Sequence, residues 1–173
     1  MLPHNKPLAS LTAADLMTRD LTLIPREMSL PAASRLLARA QVSGAPVVDE
    51  QGRCIGVLSV TDLAHADPEK AHRTTQHASV PCHCAWQFVE IENLPAERVD
   101  AFMTKDPVTV TPGTSIHHLA KMMVEAHIHR VIVVNAEQRA IGLVSSTDIL
   151  AAIAREDEPA PRSSDVRGHA YVG

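Results

Sequence analysis

Residues 53–63 read RCIGVLSVTDL, and residues 139–149 read RAIGLVSSTDI. The two stretches lie 86 residues apart, and each runs from an extended aliphatic segment into a Ser-x-x-Asp. The same offset carries LMTRD (16–20) onto FMTKD (102–106) and APVVDE (45–50) onto VIVVNA (131–136). The chain therefore contains one unit twice. Two copies indicate a duplicated supersecondary unit, because a solenoid generally needs three or more.

Each copy can be read outward from its motif. A short helical segment ends at Met17 or Met103, and an extended stretch follows at 21–24 or 108–111. Ser29 and Ser115 then suit helix N-caps. Beyond them Leu30, Ala33, Leu36, Leu37 and Ala40 fall at helical spacing, as do Ile116, Leu119, Met122, Met123 and Ala126. Two β-rich runs come next, 45–48 with 54–58 and 131–134 with 140–144, and a last helix starts around Thr61 or Thr147. The order is β-α-β-β-α. A unit of about 50 residues buries little alone, and two packed sheet to sheet would share an aliphatic core. The fold expected is α/β (α+β), with repeat 1 at 12–65, an insertion at 66–97, repeat 2 at 98–154 and a disordered tail at 155–173, rich in Pro, Ser and charge.

Composition narrows the function. Hydrophobic residues make up 45% and aromatics only 2%, so the core must be built from Leu, Val, Ile, Met and Ala. A net charge of −4 supplies no basic field for nucleic acid. No apolar run approaches the roughly 18–20 residues that span a bilayer, so no membrane partner is expected. Residues 1–7 lack the apolar core of a secretory signal. Three cysteines, an odd number, do not suggest a disulfide framework. These features suit a cytoplasmic protein. Catalytic motifs such as Gly-x-Ser-x-Gly, the phosphate-binding Walker loop and His-Glu-x-x-His are missing, so no catalytic residue is assigned and the chain is not read as an enzyme.

The paired motifs, Gly56-Val57-Leu58-Ser59-Val60-Thr61-Asp62 and Gly142-Leu143-Val144-Ser145-Ser146-Thr147-Asp148, resemble those of the CBS domain pair, or Bateman module, of the stand-alone bacterial type. The resemblance covers about residues 12–65 and 98–154. It implies two repeats related by a pseudo-twofold axis, with two clefts that in many members take adenosine-containing ligands. AMP, ADP or ATP is the ligand expected here, with no resident cofactor. By the family pattern Asp62 and Asp148 accept from ribose hydroxyls, while Ser59, Thr61, Ser145 and Thr147 lie near ribose or phosphate. The resemblance also implies a homodimer and, with no effector domain in the sequence, a separate regulated protein.

The chemistry is sound in its own terms. An ionised carboxylate only accepts hydrogen bonds, and a ribose diol offers two donors side by side. A helix N-terminus favours phosphate. Yet Ser-x-x-Asp is also close to a helix capping box, so Ser59 with Asp62, and Ser145 with Asp148, can be caps. The two roles are compatible, and both stay open at this point.

The two copies differ just before their second strand. Repeat 2 has His129-Arg130, where repeat 1 has Ser43-Gly44. The His-Arg pair resembles the stretch that meets nucleotide phosphates in the γ subunit of AMP-activated protein kinase. Arg130 can fork onto a phosphate and His129 can hydrogen-bond to one, or both can be a solvated turn. The Asp148 cleft is thus favoured. In the family that the motifs resemble, the first strand of one repeat can border the cleft holding the other repeat's Asp, which implies Thr22 and Ile24 near Asp148; they can equally be strand residues with no ligand role. Asn135 replaces Asp49 at a turn, with little functional effect expected.

The insertion carries Cys82-His83-Cys84, low-ranked metal candidates. Thiolates and imidazole suit zinc or copper(I), but tetrahedral zinc sites favour Cys-x2–4-Cys spacing. No metal site is assigned, and the insertion is read as packing or interface. The alternative function is a protein-interaction scaffold with empty clefts, or a metal- or redox-responsive module acting through Cys82 and Cys84.

Overall fold

A computed structural model of the chain describes residues 6–66 and 94–156. Cys82, His83, Cys84 and the tail from 157 lie outside the described residues. After a 3-10 turn at Leu8–Ser10 come α1 (Ala13–Leu16), β1 (Ile24–Pro25), α2 (Leu30–Ala40), β2 (Gly44–Val48), β3 (Cys54–Ser59) and α3 (Val60–Ala66). The second half begins with a 3-10 turn at Val99–Ala101. It continues as β4 (Thr104–Lys105), β5 (Thr109–Val110), α4 (Ile116–Glu125), β6 (Arg130–Val134), β7 (Ala140–Ser145) and α5 (Ser146–Glu156).

The described strands form two sheets of mixed direction, ordered β1-β2-β3-β4 and β5-β6-β7. In each, a short first strand pairs parallel to the second, which pairs antiparallel to the third. The hairpins are in matching register, with Gly44 opposite Ser59 and Arg130 opposite Ser145. Each has an irregularity at the same place, between Val47 and Val48 and between Val133 and Val134. The extended stretch expected at 21–24 contracts to Ile24–Pro25, because only there does the backbone run beside β2.

The sequence pattern accounts for the helices. In α2, Leu30, Ala33, Ser34 and Leu37 are the buried positions, and in α4 they are Ile116, Leu119 and Met123. These lie three or four residues apart, on one face. Gln41 and His127, which end these helices, take left-handed φ values of 55° and 53°.

The buried side chains fall into two clusters, and the leading segments are exchanged between them. Leu11, Ala13, Leu16 and Met17 pack with Val110, Leu119, Val131 and Val144 of the second half. Leu94, Val99, Phe102 and Met103 pack with Ile24, Leu37, Val47 and Leu58 of the first. Backbone hydrogen bonds make the same exchange. Thr18 and Leu143 bond reciprocally at 2.9 and 3.0 Å. In the counterpart, β4 pairs Thr104 with Val57 and Lys105 with Gly56. The hairpin ends also meet, as Cys54 N–H donates to the Gln138 carbonyl at 2.9 Å.

Candidate functional site

Ser145 ends β7 and Ser146 opens α5, so the motif sits at a strand-to-helix junction. The Asp148 carboxylate turns back onto it. Its Oδ2 accepts from Ser145 N–H at 2.7 Å and from Ser145 Oγ at 2.6 Å, and Ser145 Oγ accepts from Asp148 N–H at 3.2 Å. Repeat 1 repeats the arrangement at 2.8, 2.6 and 3.3 Å between Ser59 and Asp62. The capping box therefore exists in both copies. It leaves room for a second role, because every bond to the carboxylate uses Oδ2. The Oδ1 atoms of Asp62 and Asp148 make no hydrogen bond among the described residues.

Asp148 lines a cleft of about 530 Å³. Residues 15–20 form one wall, and Asp148, Ala151 and Arg155 of α5 form the other. The wall is the exchanged segment: it opens repeat 1 in the chain but is docked on repeat 2. Two of its charged groups already have partners. Asp15 Oδ1 accepts from Lys6 Nζ at 2.8 Å, while its Oδ2 accepts from Thr12 N–H and Oγ at 3.0 and 2.8 Å. These bonds, led by that from Lys6, hold the Asp15 carboxyl below its usual pKa against the opposing pull of burial. Arg19 Nη2 donates to the Ala14 carbonyl at 3.2 Å. Arg155 has no ion-pair partner among the described residues.

The other expected site residues are distributed as follows. Ser145 is half-buried beneath the cap and Thr147 is exposed on the first turn of α5; Ser59, at the end of β3, and Thr61, on α3, mirror them. Arg130 is exposed and reaches across to the other repeat, where its Nη1 donates to Ser43 Oγ. His129, also exposed, lends its carbonyl to Ser146 N–H at 2.9 Å. Thr22 is half-buried. Ile24 is wholly buried in the first core cluster, so only its backbone can meet a ligand. The cleft at Asp148 is lined by neither of them, nor by His129 or Arg130, but by residues 15–20.

Sequence reasoning missed Thr18, Arg19 and Arg155 as cleft residues. The signal for the first two was present in the recurring LMTRD and FMTKD, which served only to align the copies. Arg155 was assigned to the tail, whereas α5 runs on through it to Glu156. Asn135 and Asp49 accept the same backbone bonds in their turns, and Asp49 alone adds an ion pair, with Arg53. Asp49 Oδ1 accepts from the N–H of Gln51 and Arg53, and Asn135 Oδ1 from those of Glu137 and Arg139.

Comparison with known proteins gives the same picture. The family model described as CBS domain matches residues 13–69 and 99–155. Over 158 residues the chain is 28% identical to the CBS domain-containing protein CBSX2, chloroplastic, of Arabidopsis thaliana, covering 85% of this chain and 66% of that protein. It thus spans just under two thirds of that relative's length. The crystal structure of CBSX2 in complex with AMP matches with a TM-score of 0.66 at 25% identity, covering 85% of this chain and 98% of that one. The CBS domain pair of protein MJ0100, in complex with 5′-methylthioadenosine and S-adenosyl-L-methionine, shares the fold with a TM-score of 0.63 at 21% identity, over 83% and 99% of the chains. Matched in both halves, the chain belongs to the CBS domain family and carries the domain as a tandem pair.

Proposed function

We propose that this chain is a regulatory module that takes an adenosine-containing nucleotide, AMP, ADP or ATP, in the cleft at Asp148. The observation that carries the reading is Asp148 itself. Its Oδ2 holds the cap, Oδ1 is unclaimed by the described residues, and the residue lines a cleft of about 530 Å³. That volume suits a small molecule, for which sites run from about 300 to 1,000 Å³. Oδ1 is an acceptor for a ribose hydroxyl, and Arg19 and Arg155, which line the same cleft, are the donors proposed for phosphate. The relative CBSX2, crystallised with AMP, supports the ligand class. Asp62 is the matching acceptor of the other repeat, with Ser59 and Thr61 beside it. Arg130 gives Nη1 to Ser43, and its guanidinium has further N–H donors for a phosphate.

The ligand is read, not converted. Its signal passes through the packing of the repeats, or through a homodimer, to a separate protein in the cytoplasm. Val124, Leu150 and Ile153, apolar and 72%, 64% and 45% exposed on α4 and α5, are the face proposed for a second copy. Sedimentation at graded concentrations checks that assignment, and a monomer throughout would refute it. No helix among the described residues is long and apolar enough to cross a membrane.

Thermal unfolding against AMP, ADP, ATP, NAD, S-adenosylmethionine, cyclic di-AMP, a guanine nucleotide and zinc tests the ligand class. A ligand bound only by the folded state raises the midpoint, the stabilisation growing as RT ln(1 + [L]/Kd). The expected result is a rise with an adenine nucleotide that Asp148→Asn abolishes. In that variant the amide oxygen can keep the cap while its NH2 turns donors towards the ribose donors. No shift with any nucleotide at millimolar concentration would sink the proposal. A shift with zinc alone would move the search to Cys82 and Cys84.

A further inference from the structure

The wall of the Asp148 cleft is held by a contact with Gly142, which is not among the residues that line the cleft. Met17 is seated on the face of Gly142 in β7, so closely that a Cβ at 142 would lie 2.2 Å from Met17 Sδ and 2.8 Å from its Cγ. Only a glycine fits beneath the methionine as it stands. Immediately beyond Met17, Thr18 makes its reciprocal hydrogen bonds with Leu143. Further back, Ala13 N–H donates to the Thr114 carbonyl, Ala14 N–H to that of Pro112, and Ile116 N–H to that of Leu11, at 2.8–2.9 Å. From Leu11 to Thr18 the segment is thus bonded to the second half of the chain, although six residues later the backbone enters the first sheet at Ile24.

We infer that Met17, locked over Gly142, is the positioning residue that builds the Asp148 cleft, so that docking of residues 11–20 and occupancy of the cleft are linked. The inference rests on the nucleotide reading for its ligand and on packing alone for the latch. A ligand that touches both walls binds only when the segment is docked, and its binding must in turn favour docking. The mirrored contact is in the other repeat, where a Cβ at Gly56 would lie 2.5 Å from Met103 Sδ and 2.9 Å from the Thr104 carbonyl oxygen. Gly56 therefore provides an internal control, a steric insult of the same kind applied to the other exchanged segment.

The test is amide hydrogen exchange, with and without AMP, on wild type, Gly142→Ala, Gly56→Ala and the double variant Met17→Ala/Gly142→Ala, with AMP affinity measured in an Asp62→Asn background so that the Asp148 cleft is read alone. In wild type, AMP should slow exchange across residues 13–20. Gly142→Ala should accelerate exchange there without AMP, leave residues 30–37 unchanged and weaken AMP binding about tenfold or more. Gly56→Ala should accelerate exchange at 99–105 instead and alter AMP affinity less than twofold. Removing the thioether makes room for the new methyl, so the double variant should regain at least half of the lost protection at 13–18, which a general loss of stability would not give. Unchanged exchange at 13–18 in Gly142→Ala, or unchanged AMP affinity, would overturn the inference. If wild type binds no adenosine compound, the nucleotide reading and the linkage fall together. Unchanged exchange with intact AMP binding removes the latch and spares the reading.

Discussion

Asp148 shows how one side chain can hold a fold and still be available to a ligand. A carboxylate has two oxygens, and the capping box spends its bonds on one of them. The motif was legible in the sequence, and so was the cap; that the cap uses only Oδ2 was not, because it depends on how the carboxylate rotates. Strain at single residues is also visible in the comparison of the repeats. Gly52 turns the first hairpin at a φ of 77°, and Gln138 occupies the matching place in the second at 60°. A left-handed conformation costs a residue with a side chain about 1–2 kcal/mol, partly offset by the lower unfolded-state entropy of a non-glycine residue. Gln138→Gly should therefore raise stability by about 0.5 kcal/mol or more. A higher urea midpoint at unchanged slope would show it. Gly52→Gln should do the opposite, and a loss of stability in Gln138→Gly would contradict the account.

At the scale of elements, helices α2 and α4 were legible because their apolar residues recur at helical spacing, and the hairpins because aliphatic runs flank turn residues. The first strands were not legible at their true length. Extended backbone at 21–23 has no β partner among the described residues, so local propensity overstated the strand. The element that matters most for the cleft is the docked segment that includes α1, and its charge chemistry gives a pH test. The folded state lowers the Asp15 carboxyl pKa, chiefly through Lys6 and then Thr12. In the unfolded chain the same carboxyl takes up its proton at a higher pH, near the ordinary Asp value of about 3.9. The stabilisation from this group is thus fully present above that value and is lost as pH falls through the lowered folded value. Thermal midpoints of wild type and Asp15→Asn should differ at neutral pH, wild type being the more stable, and converge in acid. A gap that persists at the lowest pH would mean that Asp15 acts through packing and not through its charge.

For the molecule as a whole, the duplication was legible at once. The exchange of the leading segments was not. An offset between copies says that the same unit occurs twice, but not which core each segment joins; that follows from packing, with Met17 on Gly142 and Met103 on Gly56. The exchange makes the cleft a property of the pair. Asp148 belongs to repeat 2, and the wall facing it comes from the opening residues of repeat 1. A module built in this way can report on a ligand without chemistry, provided the ligand prefers the docked arrangement. The most direct test of this account is a calorimetric titration of the full chain with AMP, run in parallel on Asp148→Asn and Arg155→Ala. The account predicts saturable binding to wild type, weakened about tenfold or more in both variants with their folded spectra retained. Binding of equal strength in wild type and both variants would contradict it, because the nucleotide would then lie somewhere other than the cleft at Asp148.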